Sequence, residues 1–229
     1  MTDFDLTRLA EIPDPLAERA APTPAGHPLR VVSWPASPTR GRLRTARAAA
    51  LAMAVLFDAA WIAFIERRRD LASLPPESIA LGLGIPLVAA VVALVAVVRP
   101  GARGLGMRLA ELVALVGVPP LLFAFGTLVT SPAQGAQPFV GPALRCIGVS
   151  AILAAAPFVV GLLVMRRSFV SSAGWRTAAL GVSSGALAAA TMSVACANGD
   201  RLHVLVAHGA IVLFGGVAGA WAGARITRA

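Results

Sequence analysis

The sequence contains no lysine and no tyrosine, and only 14% of its 229 residues are charged. Soluble domains carry roughly 25% charged residues, so this chain lacks the polar surface that a water-soluble enzyme needs. Two cysteines and three histidines are too few for a disulfide scaffold or a zinc-ribbon framework. No hydrolase, kinase or metalloprotease motif is present. The Gly-rich pieces at 82–86 (GLGIP) and 101–107 (GARGLGM) follow no strand and carry no phosphate-binding lysine, so neither reads as a nucleotide cradle. The first 40 residues hold no apolar run of signal-peptide length, and no cleavage is expected. The inventory points away from an enzyme and names no cofactor.

What the chain does have is apolar length. Hydrophobic residues make up 57% of it, and its mean hydropathy is +0.77. A bilayer core of roughly 30 Å is crossed by about 20 predominantly apolar residues in helix. Six such stretches stand near 46–65, 79–98, 108–130, 143–165, 177–197 and 203–224, separated by short charged or Gly/Pro-containing loops. Lipid cannot satisfy an open sheet edge, so the expected fold is all-α, a polytopic membrane protein with six transmembrane helices. Pro86, Pro119, Pro120 and Pro157 fall inside helices 2, 3 and 4 and are expected to distort them.

The 20 basic residues are all Arg, consistent with GC-rich codon usage and given no functional weight. The formal charge of +9 reads as a topological signal rather than as direct nucleic-acid binding. With the N-terminus inside, 15 of the 20 arginines fall on the cytoplasmic side, so both termini are expected in the cytoplasm. The triplet Arg67–Arg69 is the exception, diluted by Glu66, Asp70 and Glu77. Trp61, Trp175 and Trp221 lie near helix ends, where interfacial aromatics anchor.

Two regions follow: a tail and linker over 1–45 and a six-helix domain over 46–229. Five acids sit in the first 20 residues, against Arg8 and Arg19. Thr2 with Asp5, and Asp14 before Pro15, are start signals for two short helices. Phe4, Leu6, Leu9, Ile12 and Leu16 would give these an apolar face, the pattern of a partner-binding segment. Residues 20–45 are Pro-rich and end in the basic run Arg40, Arg42, Arg44 and Arg47, the composition of a linker.

Candidate chemistry gathers at the expected outer face. Cys146 opens helix 4, Cys196 closes helix 5, and His203 and His208 open helix 6 across the loop NGDRLH. Three readings stand here: a redox-active thiol pair, a metal site of soft N/S ligands, or two buried small residues that never meet. A disulfide closing about 50 residues would contribute roughly 4 kcal/mol in the chain-entropy model. Against a metal, five residues separate the histidines, about 140° around an α-helix, so they are not expected to share a face. Asp58 and Glu111 are the intramembrane acids, functional candidates by their cost in lipid. Gly181, Gly185 and Ala189 on helix 5, and Gly215, Gly219 and Gly223 on helix 6, are spaced for close helix packing.

The runs RCIGVSAILAAAPFVVGLLVMRRSF and GWRTAALGVSSGALAAATMSVACANGDRLHVLVAHGAIVLFGGVAGAWAGARI resemble the NrsF family, negative regulators of sigma F. An Arg-Cys opening helix 4, a paired Arg closing it and a Gly-rich helix 5 ending in Cys carry the resemblance, which spans roughly residues 45–225. It implies a six-helix inner-membrane anti-sigma factor whose N-terminal segment sequesters an ECF-type sigma factor. Release would follow a periplasmic or membrane stress signal, redox or metal, with Cys146 and Cys196 as the thiols concerned. Family members tend to place His before the helix-5 Cys. Here that position is Ala195, which leaves such a role to His203 or His208. Homo-oligomerisation stays open. A small transporter or channel using Asp58, or a structural subunit of a larger membrane complex, are the alternative readings.

Overall fold

The computed structural model describes residues 40–64, 73–98, 107–131, 140–166, 172–196 and 198–226. The tail anchors Phe4, Leu6, Leu9, Ile12 and Leu16 lie outside the described residues. All regular structure among the described residues is helical. Six long helices follow one another: α1 (Arg40–Phe64), α2 (Pro76–Val98), α3 (Leu109–Thr130), α4 (Val140–Arg166), α5 (Ala173–Ala195) and α6, which starts at Arg201 and ends at Ile226. Each falls on one of the six apolar stretches of the sequence, with ends displaced by a few residues. Five of them, α2 to α6, are long and apolar enough to cross a membrane. The surface agrees, for Leu121, Leu213 and Val217 are each more than two-thirds exposed, a covering suited to lipid.

The bundle is organised around α5. Its apolar window is 78% buried, against about a third for the other four spans. It packs on all five other helices and most extensively on α6. Its composition explains this position, since Ala, Gly, Ser and Thr allow neighbours to approach from every side where Leu or Phe would hold them off. The hydroxyls need no outside partner. Thr177, Ser183 and Thr191 donate to the carbonyls of Ala173, Ala179 and Leu187 one turn back, at 2.7–2.9 Å.

The α5–α6 seam is a backbone contact. A Cβ on Gly185 would sit 2.7 Å from the Ile211 carbonyl oxygen, and one on Gly223 would sit 2.7 Å from that of Ala173. Gly181 and Gly215 face each other's carbonyls in the same way, and Gly219 faces that of Thr177. The small-residue spacing of both helices is thus used within one chain.

Guanidinium contacts fix the ends. Arg176 Nε donates to the Val97 carbonyl at 2.8 Å, joining the start of α5 to the end of α2. Arg201 Nε donates to the Ser131 carbonyl at 3.0 Å, joining the start of α6 to the end of α3. One end of the bundle, here called the cysteine end, therefore collects the starts of α2, α4 and α6 and the ends of α3 and α5. At the other end Trp175 and Trp221 are exposed, and the Arg225 guanidinium lies 4.8 Å from the Trp221 ring centroid.

Among the described residues two helices contain π-helical turns, both at the cysteine end. In α2 a π-helical turn over Ala80–Gly84 precedes Pro86, with the Ile85 N–H bonded to the Ala80 carbonyl. Pro86 has no N–H to offer, and its ring would crowd the carbonyl four residues back, so a widened turn is a sensible accommodation. Pro119, Pro120 and Pro157 lie inside α3 and α4, whose helical assignment continues through them. The second π-helical turn, Val204–His208 in α6, has no proline and bears on the site described below.

The glycine seam makes a contrast testable. Gly185→Val forces a side chain against the α6 backbone and is expected to lower the melting temperature in mild detergent by several degrees or to abolish folding. Gly148→Ala, with nothing within 4 Å of its Cβ, should melt within about a degree of the parent, its effect being at most a few tenths of a kcal/mol. Equal effects of the two would refute the seam as a structural constraint.

Candidate functional site

The loop between α5 and α6 is built to hold its ends in place. Asp200 is the N-cap of α6, and its Oδ1 accepts from the backbone N–H groups of Leu202 at 3.0 Å and His203 at 3.1 Å. Asn198 Oδ1 in turn accepts from the Asp200 N–H at 3.0 Å. The cap fixes the first turn of α6 and with it the position of His203. Loss of such a cap costs on the order of 1 kcal/mol.

The cluster anticipated from the sequence is assembled. Cys146 and Cys196 bring their Sγ atoms to 3.5 Å, and both thiols are free. His203 Nε2 lies 3.5 Å from Cys196 Sγ. The His203 and His208 rings meet edge to face, centroids 5.6 Å apart. One ligand atom from each of Cys146, Cys196, His203 and His208 falls within 4.8 Å of every other. The two histidines are 1% and 0% exposed.

This corrects the expectation that His203 and His208 cannot share a face. That expectation assumed α geometry, in which five residues turn through about 500° and leave the side chains about 140° apart. The segment Val204–His208 is instead π-helical, the Gly209 N–H reaching back five residues to the Val204 carbonyl. A turn that closes on the fifth residue returns nearly to its starting direction, leaving the two side chains roughly 50° apart. The 3.5 Å sulfur separation excludes the reading of two cysteines that never meet.

Hydrogen bonding specifies one imidazole. Ser193 Oγ donates to the Ala189 carbonyl at 2.9 Å and lies 3.5 Å from His208 Nδ1. A hydroxyl has a single proton, so towards His208 it is the acceptor and Nδ1 carries the hydrogen. His208 Nε2 then presents its lone pair. That atom is buried, with no hydrogen-bond partner among the described residues. Cys196 Sγ also lies 3.7 Å from the Asn198 carbonyl oxygen, towards which its thiol donates. Two adjacent sulfurs beside two imidazoles make a site for thiol oxidation or for a soft cation.

The other sequence candidates do not join this cluster. Asp58 is buried in α1 at 2% exposure, with neither carboxylate oxygen hydrogen-bonded among the described residues. Glu111 has a local task, its Oε2 accepting the Arg108 backbone N–H at 3.0 Å where α3 begins. Ala195, where family members tend to carry His, is partly buried beside Cys196. The imidazole next to that thiol comes from His203. Sequence reasoning missed Ser193 and Asp200. Asp200 was recoverable as an Asp preceding an apolar helix. Ser193 had no signal until the π turn aimed His208 at it.

Fold and cluster together define a polytopic helical membrane protein with a thiol–imidazole centre at one end of its bundle. A family model described as NrsF, negative regulator of sigma F, matches residues 33–228, and the chain belongs to that family. No curated protein and no solved structure matches the chain.

The sulfur separation predicts that the thiols pair on demand. Chelator-treated full-length protein in mild detergent, exposed to diamide, should form an intramolecular disulfide with loss of about 2 Da by intact mass, two thiol hydrogens passing to the diamide. Cys146→Ser should abolish the change. A parent chain that keeps two alkylatable thiols after oxidant would contradict the juxtaposition.

Proposed function

We propose that this chain is an anti-sigma factor of the bacterial inner membrane, crossing it six times with α1 as the first span and with both termini in the cytoplasm. Its N-terminal segment, through Phe4, Leu6, Leu9, Ile12 and Leu16, holds an ECF-type sigma factor away from RNA polymerase. The observation that carries this reading is the family match over residues 33–228, whose description is that of a negative regulator of a sigma factor. The arginine distribution supports the orientation, since it leaves most of the positive charge inside. The apolar spacing and five acids of the first 20 residues suit a helix lying in a groove on a basic partner.

In this orientation the cysteine end faces the periplasm, where thiols meet oxidants and metals directly. A change at Cys146 and Cys196 alters the packing of α4, α5 and α6, and the altered bundle frees the tail to release the sigma factor. The chain acts as a receiver, and it carries out no reaction of its own. Its partners are the sigma factor and the bilayer, with no direct contact to nucleic acid.

The test is a mild-detergent pull-down of the full chain beside a chain lacking residues 2–30, with captured proteins identified by mass spectrometry. A sigma factor captured by the full chain alone is the expected result, and Leu9→Asp with Ile12→Asp should reduce capture at least tenfold. Capture by neither form would overturn the proposal. Cys146→Ser with Cys196→Ser should keep repression and lose the response to the inducing oxidant or metal. A double variant that responds normally would remove the thiols from the signalling step.

A further inference from the structure

The four-residue cluster has a geometry more particular than thiol proximity. In a tetrahedral zinc site with Zn–S near 2.3 Å and Zn–N near 2.0–2.1 Å, neighbouring donors stand roughly 3.3–3.8 Å apart. The Cys146–Cys196 sulfur separation and the Cys196–His203 sulfur-to-nitrogen separation are both 3.5 Å, inside that range. All four donors fall within 4.8 Å of one another, so contraction of a few tenths of an ångström to about an ångström brings the set onto one ion. A disulfide, by contrast, needs the sulfurs at about 2.05 Å.

His208 supplies the second, independent observation. Its Nδ1 is bound to Ser193 as a donor, which leaves an Nε2 lone pair that is buried and unpartnered among the described residues. Metal-bound histidines have this arrangement, one ring nitrogen held by a neighbour and the other free to ligate. Left unligated, such a buried atom has lost its hydration and gained nothing in return.

Charge decides which ion fits. We infer that Cys146, Cys196, His203 and His208 form a Cys₂His₂ site for one divalent, thiophilic, tetrahedral cation of the zinc class. Two thiols give up two protons to solvent as one dication enters, and the two thiolates then cancel its charge. Imidazoles add none, so the filled site is neutral, which suits its buried position beside apolar helices. A monovalent ion on the same ligands would leave a net negative charge there. Magnesium and calcium prefer oxygen donors, and none of the four ligands offers one.

The π turn gains a purpose in this assignment. Bound metal ties His203 to His208 and both to Cys146 and Cys196, and so fixes the Val204–His208 turn in its widened form. The site thereby clamps the start of α6 to the end of α5 and the start of α4. This deepens the regulatory reading, on which its biological meaning rests, by naming the ligand class at that site.

Anaerobic titration of Co²⁺ into the chelator-treated, reduced full chain in mild detergent tests it without any sigma factor. One equivalent should bind with the strong visible bands of tetrahedral cobalt and a near-ultraviolet thiolate-to-cobalt charge transfer, both bleached by Zn²⁺. Ser193→Ala should weaken binding about 10- to 100-fold, as loss of a supporting hydrogen bond does. His208→Ala should weaken it further and shift the bands, while Asp58→Asn should leave them unchanged. The parent spectrum guards against variants that fail to fold. No binding, the weak bands of octahedral cobalt, or a spectrum that a folded His208→Ala variant leaves unaltered would each overturn the site. Because sigma-factor capture is measured separately, loss of the metal site and loss of the anti-sigma reading are told apart.

Discussion

Everything at the cysteine end depends on how closely α5 and α6 approach. Backbone touches backbone along the seam because glycines face carbonyls on both helices, from Gly181 to Gly223. In lipid this contact has no hydrophobic driving force behind it, and van der Waals packing between flat surfaces supplies the stability. The close seam also sets the span that the connecting loop must bridge, and that loop carries Cys196 and Asp200. A looser pair would carry His203 away from Cys196. Packing in the middle of the membrane and chemistry at its edge are the same constraint seen at two heights.

The centre itself shows a division of labour. Asp200 fixes where α6 begins, the π turn fixes which way His208 points, and Ser193 fixes which nitrogen of that ring is available. Each of these three acts on the cluster by positioning a histidine within it. Cys146 arrives from α4, so three helices converge on the cluster. A change in any sulfur–nitrogen or sulfur–sulfur distance is therefore a change in the relation of those helices.

The helices themselves were legible because bilayer thickness imposes a length, and six apolar runs of that length stand between charged loops. The meeting of helices 5 and 6 was visible in their glycine spacing. The central position of α5 was latent in its small side chains, though its lower apolar content would by itself suggest a wetter place. The site was legible in part. Topology put Cys146, Cys196, His203 and His208 at one surface, but the facing of the histidines was read wrongly, because α geometry was assumed where a π turn stands. Such a turn depends on tertiary packing and has no residue signature here; in α2 a proline marks its neighbourhood, in α6 nothing does. Asp58 and Glu111 show the converse. Acidic side chains in similar settings gave a helix cap in one case and, in the other, a buried carboxylate with no hydrogen bond among the described residues.

Both π turns sit near the starts of their helices at the same end of the bundle, Ala80–Gly84 in α2 and Val204–His208 in α6. A turn of this kind stores one residue beyond what an α-helix would use over the same stretch. Its return to α geometry would release about 1.5 Å of rise without unfolding anything. The described residues at the opposite end hold no such reserve. The bundle is therefore unequal in compliance: one end has slack that can be drawn in or paid out, and the other is taut. A displacement applied at the soft end is taken up first by these turns, and only what exceeds their reserve reaches the stiff one.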